Sequence, residues 1–226
     1  MELSKIRSPA DLAPYIDHAN LRPNASPDDI RRLCEEALRY GFASVCVNPC
    51  YVPLCAEILA GSRVRVGTVI AFPFGAASPD QKVFEAKTVL RDGAKEIDMV
   101  LNIGWLKGKR DDWVRREIAR VVQTVGGKAI LKVIIETCLL DEEEKVRACR
   151  IVEEAGADYV KTSTGFNGSG ATVEDVRLIR SVLSPKMGIK ASGGIRDAQT
   201  VLAMLQAGAT RIGTSSGVAI VTTPSF

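Results

Sequence analysis

Histidine is nearly absent from this chain, with His18 the only one in 226 residues. That removes the histidine clusters a catalytic zinc usually needs and leaves one imidazole for any serine triad. Lying near a strand start, His18 reads as a hydrogen-bonded structural residue rather than a catalyst. Aromatic residues make up 5% of the sequence and the net charge is +3, so no basic, aromatic-interleaved surface for nucleic acid is expected. The densest basic stretch, Lys107 to Arg116, is diluted by Asp111 and Asp112 and reads as a solvated helix start. No apolar run approaches a bilayer-spanning length, and the amino terminus lacks an apolar signal core. The expectation is therefore a cytoplasmic chain with no membrane partner. The six cysteines (Cys34, Cys46, Cys50, Cys55, Cys138 and Cys149) show no CxxC spacing and are expected as reduced, buried thiols. No GxGxxG turn follows the first strand, which counts against an open doubly wound sheet.

What is present is a repeated alternation of strand and helix. Strands are predicted over Tyr15–Asn20, Ala43–Asn48, Val64–Phe72, Glu96–Asn102, Ala129–Glu136, Tyr159–Thr164, Gly188–Ser192 and Arg211–Thr214. Amphipathic stretches lie between them. Ser26-Pro27 and Ser78-Pro79 pair a capping serine with proline at the first helical position, opening the first and third helices. Asp141-Glu-Glu-Glu puts acid where the dipole of a fifth helix favours it. Gly41, Gly93, Gly156 and Gly208 each follow a helix and precede a strand, as left-handed caps do. Eight such units without a linker fit a single (β/α)8 TIM barrel domain over residues 1–226 better than an open sheet.

Strand alternation then locates charge. In Ile97–Asn102, Asp98, Val100 and Asn102 are expected to face the barrel interior, with Ile97, Met99 and Leu101 toward the helices. The same alternation points Lys132, Ile134 and Glu136 inward from the fifth strand, Lys161 and Ser163 from the sixth, and Lys190 and Ser192 from the seventh. Barrel interiors are mostly branched and apolar, and a buried cation is costly unless paired. Mutual neutralisation among Asp98, Lys132, Lys161 and Lys190 makes the burial tolerable. One reading is an ion network that only fixes the barrel. The other is chemical: a lysine beside a second cation in a partly dry pocket has its ammonium form disfavoured and supplies a free amine for a Schiff base.

Small-residue loops follow the last three strands: Ser163-Thr164-Gly165-Phe166, Gly193-Gly194-Ile195 and Gly213-Thr214-Ser215-Ser216-Gly217. Barrels often bind phosphate with the loops after strands seven and eight. Thr164, Gly165, Gly193, Gly194, Gly213, Ser215 and Ser216 are thus the candidate substrate-binding residues, and a small phosphorylated molecule the candidate partner.

Six segments, Tyr15-Ile-Asp17-His18, Phe42–Pro49, Glu96–Gly104, Leu131–Thr137, Val160–Gly165 and Ile189–Arg196, resemble the class I deoxyribose-phosphate aldolases, and the match runs through nearly the whole chain. The resemblance implies a TIM-barrel lyase, without cofactor or metal, that reversibly cleaves 2-deoxy-D-ribose 5-phosphate to D-glyceraldehyde 3-phosphate and acetaldehyde. It implies Lys161 as the Schiff-base lysine, Lys190 as the residue lowering its pKa, and Asp98 as a partner in proton transfer with Lys190 and a water. It also implies that the glycine loops hold phosphate and that the chain forms a homo-oligomer, a dimer or higher. Two departures stand out: Ala19 occupies a position where the family usually has threonine, and the sequence ends at Phe226 without the terminal tyrosine some relatives carry. Three other functions compete. A phosphosugar isomerase or epimerase needs paired acid and base groups or a metal instead of an activated lysine. A zinc aldolase is disfavoured by the single histidine, and a non-catalytic sugar-phosphate binder has no use for buried lysines.

Overall fold

A computed structural model describes Ser4 and residues 6–226. Residues 1–3 and 5, part of the amino-terminal stretch read above, lie outside the described residues. Eight parallel strands close into a barrel in chain order, β8 returning to pair with β1. They are β1 Ile16–Asn20, β2 Ser44–Val47, β3 Arg65–Ile70, β4 Glu96–Val100, β5 Ile130–Ile134, β6 Tyr159–Lys161, β7 Gly188–Ser192 and β8 Arg211–Thr214. The helices are α1 Pro27–Tyr40, α2 Val52–Ile58, α3 Pro79–Arg91, α4 Ile103–Lys107, α5 Asp111–Val125, α6 Glu142–Glu154, α7 Val173–Val182, α8 Ala198–Gln206 and α9 Gly217–Thr222. All eight predicted strands form, and the closed order excludes the open sheet.

The punctuation of the sequence explains the boundaries. Ser26, Ser78 and Asp141 each form reciprocal capping boxes, with Asp29, Gln81 and Glu144 respectively. The four glycine stops all take positive φ, between 71° at Gly41 and 114° at Gly208. The helix capped by Asp141 is the sixth rather than the fifth, because α4 intervenes after β4. Asn102 caps that short helix, accepting a hydrogen bond from the Trp105 amide at 3.1 Å. Its side chain is therefore spent on the cap, which corrects its expected place inside the barrel. Ile97, Met99 and Leu101 are buried in the apolar layer between strands and helices.

Four of the six cysteines are buried, all six are free, and Cys50 is exposed and Cys138 half-buried, against the expectation that all would be interior. Among the described residues no helix is long and apolar enough to cross a membrane.

Candidate active site

The barrel register aligns the charged residues. Asp98 on β4 lies beside Lys132 on β5, and Lys161 on β6 lies beside Lys190 on β7. Each is at most 3% exposed. Alternation inside the closed sheet aims all four at one interior. Asp98 is the hub. Its Oδ2 accepts from Lys161 Nζ and from Lys190 Nζ, both at 2.7 Å, and its Oδ1 accepts from Lys132 Nζ at 3.0 Å.

The two lysines that share Oδ2 are not equivalent. Lys190 Nζ also lies 2.5 Å from Asp17 Oδ2, so two carboxylates hold it. Burial alone would lower its pKa, but Asp17 and Asp98 outweigh that and raise it. Lys161 has only its share of Asp98. Burial lowers its pKa, the attraction of Asp98 does not make up the loss, and the Lys190 charge lowers it further. Asp98 itself is held well below the usual carboxylate range, because Lys132, Lys161 and Lys190 together outweigh the cost of burying it. The interior thus holds Lys132 and Lys190 biased toward the ammonium form, Asp98 biased toward the carboxylate, and Lys161 biased toward the free amine.

Gly213 on β8 makes this arrangement possible. A Cβ there would sit 2.9 Å from Lys190 Cε and 2.9 Å from Ser192 Cβ, so any larger residue would displace the lysine. Its reason for being glycine is therefore packing against Lys190 as well as its place in the cleft.

Above the lysines a cleft of about 610 Å3 opens at the carboxyl ends of the strands. Lys161, Thr164, Gly165, Lys190, Gly193, Gly194, Gly213, Ser215 and Ser216 all line it. Asp98 lies beneath it, behind the two lysines. Nine of the ten sequence-predicted residues thus share one cavity and the tenth supports it from below. Ala19 also lines the cleft, so the missing hydroxyl is absent from a cavity-facing position.

The loop after β6 is tightly held. β6 ends at Lys161, and not at Thr164 as predicted, because the following residues bond across the barrel rim. The Ser192 amide donates to Thr162 Oγ1 at 3.1 Å, and Ser192 Oγ donates to the Ser163 carbonyl at 2.6 Å. Glu136, with φ 57°, lies past the end of β5 rather than among the inward strand residues. Its carboxylate accepts from the Thr164 amide at 3.0 Å and from Asn167 Nδ2 at 3.0 Å.

His18 is buried and its Nε2 lies 2.7 Å from Glu36 Oε2, in keeping with a structural role, and it lines the edge of the same cleft. Burial lowers its pKa more than Glu36 raises it.

Sequence reasoning missed a second tier of charge. Asp17, Glu96 and Arg211 are bound into the cluster: Arg211 Nη1 donates to Asp17 Oδ1 at 2.6 Å and to Glu96 Oε1 at 3.2 Å, while Lys132 Nζ donates to Glu96 Oε2 at 2.6 Å. The signal was available. The alternation that places Asp98 inside also places Glu96 there, and applied to β1 it pairs Asp17 with Ala19.

Comparison with known proteins bears on this geometry. Residues 12–222 match the family described as "DeoC/LacD family aldolase". The chain is 59% identical over 211 residues to the deoxyribose-phosphate aldolase of Geobacillus sp. (strain WCH70), covering 93% of this chain and 95% of that one. It is 58% identical over 214 residues to the deoxyribose-phosphate aldolase of Thermococcus gammatolerans, covering 93% and 95% respectively. Among solved structures, a tetrameric deoxyribose phosphate aldolase from Aeropyrum pernix superposes with a TM-score of 0.90 at 37% identity, covering 97% of this chain and 93% of that chain.

Proposed function

The chain belongs to the DeoC/LacD aldolase family, and on that premise we propose that it is a Schiff-base lyase reversibly cleaving 2-deoxy-D-ribose 5-phosphate into D-glyceraldehyde 3-phosphate and acetaldehyde. The observation that carries the reading is the unequal sharing of Asp98 by two buried lysines, which leaves Lys161 as the amine short of carboxylate.

Lys161 is assigned as the nucleophile. Its free amine adds to the substrate C1 aldehyde, and loss of water leaves a protonated imine. That cation is the electron sink. The C3 hydroxyl gives up its proton, the C2–C3 bond breaks, and its electron pair moves into the imine to leave an enamine. Glyceraldehyde 3-phosphate departs, C2 is protonated, and hydrolysis returns acetaldehyde and the amine. In its ammonium form Lys190 holds down the proton affinity of Lys161. Asp98 and Lys190, acting through a water, are assigned the proton transfers. The loops bearing Thr164, Gly165, Gly193, Gly194, Gly213, Ser215 and Ser216 are assigned the phosphate end. Three of these glycines (Gly165, Gly193 and Gly194) have φ between 77° and 88°, which brings backbone close to a ligand.

We further assign residues 1–226 to one aldolase domain working in the cytoplasm as a homo-oligomer, as the tetrameric relative from Aeropyrum pernix supports. The deciding experiment is borohydride reduction in the presence of acetaldehyde, followed by peptide mass analysis. A reduced adduct on Lys161 is expected. An active enzyme with no adduct, or with the adduct on Lys190, would overturn the assignment.

A further inference from the structure

Taken as a whole, the buried cluster holds three carboxylates, Asp17, Glu96 and Asp98, against four cationic side chains, Lys132, Lys161, Lys190 and Arg211. Arg211 is 11% exposed and the Glu96 side chain is fully buried. A low-dielectric interior tolerates paired charge far better than net charge. The cluster is balanced when one of the four cations is neutral. Arginine does not deprotonate in proteins, so the free base falls to a lysine. Lys190 touches Asp17 and Asp98, and Lys132 touches Glu96 and Asp98 and lies 3.8 Å from Asp17, so each of these is held by at least two carboxylates. Lys161 touches one.

We infer that Arg211 and Glu96, one tier below the nucleophile and out of contact with it, are positioning residues that set the proton occupancy of Lys161 by fixing the charge count of the whole cluster. The inference rests on Lys161 being the nucleophile. Arg211 acts through Asp17 and Glu96, which it bridges through Nη1. Glu96 acts through Lys132, which it shares with Asp98. Ser44 Oγ closes the tier by donating to Asp17 Oδ1 at 2.7 Å. The ionisable groups facing this interior are Asp17 on β1, Cys46 on β2, Glu96 and Asp98 on β4, Lys132 on β5, Tyr159 and Lys161 on β6, Lys190 on β7 and Arg211 on β8. From β3, Arg65 reaches Glu96 only at 3.5 Å and is half exposed, so water screens it. Burial holds Cys46 in its neutral thiol form, which keeps it out of the charge count.

The charge count makes predictions of opposite sign. Arg211→Met removes a cation, and the cluster regains balance when Lys161 takes a proton. The acid limb of the kcat/KM profile should then move to higher pH, by about one unit for a charge acting across a few partly screened contacts. Glu96→Gln removes an anion and leaves excess positive charge, so the same limb should move to lower pH by about one unit. The double variant restores balance, and its limb should return to within about half a unit of wild type. The experiment measures pH–rate profiles for the four proteins, together with the pH dependence of borohydride trapping by acetaldehyde at Lys161. Opposite shifts that cancel in the double variant support the inference. Limbs that stay put, or that move the same way in both single variants, overturn it. If Arg211→Met does not fold, Glu96→Gln decides alone, because an upward or absent shift there contradicts the count. Wild-type protein without an adduct on Lys161 overturns the nucleophile assignment itself. An adduct with unmoved limbs overturns only the role of the lower tier.

Discussion

Lys161 and Lys82 are equally cut off from water, at 3% and 0% exposure, yet only one of them is equipped for chemistry. Lys82, on α3, is held outside the barrel interior: its Nζ lies 2.9 Å from Glu117 Oε2 on α5 and donates to the Val100 carbonyl at 2.8 Å. One anion faces one cation there. Burial pushes the Lys82 pKa down and the Glu117 pKa up, each toward its neutral form, and the pair has no opening to a cavity. In the barrel interior Asp17 and Asp98 are held below the usual carboxylate range because each is shared among several cations, and the shortage of carboxylate contacts falls on Lys161, which lines the cleft. Burial of a lysine is therefore a poor sign of catalysis. Shortage of carboxylate together with access to substrate is the better one.

The largest expected effect tests that statement directly. Lys161→Arg keeps the charge but cannot form an imine at neutral pH, since guanidinium stays protonated. Turnover should fall by at least ~10³-fold, with no borohydride adduct. Asp98→Leu removes the shared carboxylate and should lower turnover by ~10²-fold or more. Wild-type turnover in either variant would erase the contrast between the two buried lysines.

Lys190→Leu sharpens the comparison at the level of pH. Without the neighbouring cation the ammonium form of Lys161 is less disfavoured, so its pKa rises and the acid limb of the pH–rate curve moves upward. A pH profile superimposable on that of wild type would show that Lys190 does not act by charge.

The same contrast explains what could be read in the sequence. Strand period two was enough to bring Asp98, Lys132, Lys161 and Lys190 together, because a closed barrel has one interior and alternation leaves little choice of face. Glycine stops and serine caps located the elements because each satisfies a local backbone requirement. Beyond the missed tier of Asp17, Glu96 and Arg211, the failures were of two kinds. Glu136 and Asn102 each lie two residues beyond their strands, where alternation no longer governs direction and the backbone turns to make a cap or a left-handed residue. Lys82 lies on a helix whose other lysine, Lys87, is exposed and whose Glu85 is half-buried, so nothing in its local pattern marks it as the fully buried one. Its partner Glu117 is thirty-five residues away and meets it only because α3 packs on α5.

Phosphate recognition should respond more weakly than the imine chemistry. Ser216→Asp places a negative charge on the loop after β8, where repulsion of a phosphate is poorly screened inside the cleft. KM for 2-deoxyribose 5-phosphate should rise by about tenfold or more, with a smaller rise for the unphosphorylated sugar. Equal losses for the two sugars would move the phosphate site away from this loop.

The smallest catalytic effect is expected at Lys82, and stability is where that site should register. Lys82→Met leaves Glu117 buried without its cation, and breaking a buried pair from one side typically costs ~3–5 kcal/mol. Glu117 then takes up a proton more readily. Its folded pKa, already raised by burial, lies above the unfolded value, so the stability linked to that proton is present at acid pH and is lost as pH rises through the folded pKa. The Lys82→Met deficit should therefore be smallest in acid and grow toward neutrality. Adding Glu117→Leu removes the stranded carboxylate and should recover part of the loss. It cannot recover all of it, since the Val100 carbonyl and the Asn102 amide lose their side-chain partners. Through all of this, turnover per folded molecule should change less than about twofold, because the pair touches neither cleft nor lysine network. Denaturation at several pH values, run beside kinetics corrected for the folded fraction, reads both quantities. A displaced acid limb in Lys82→Met would show that this outer pair is electrically coupled to Lys161, and the division between a closed pair and a working cluster would no longer hold.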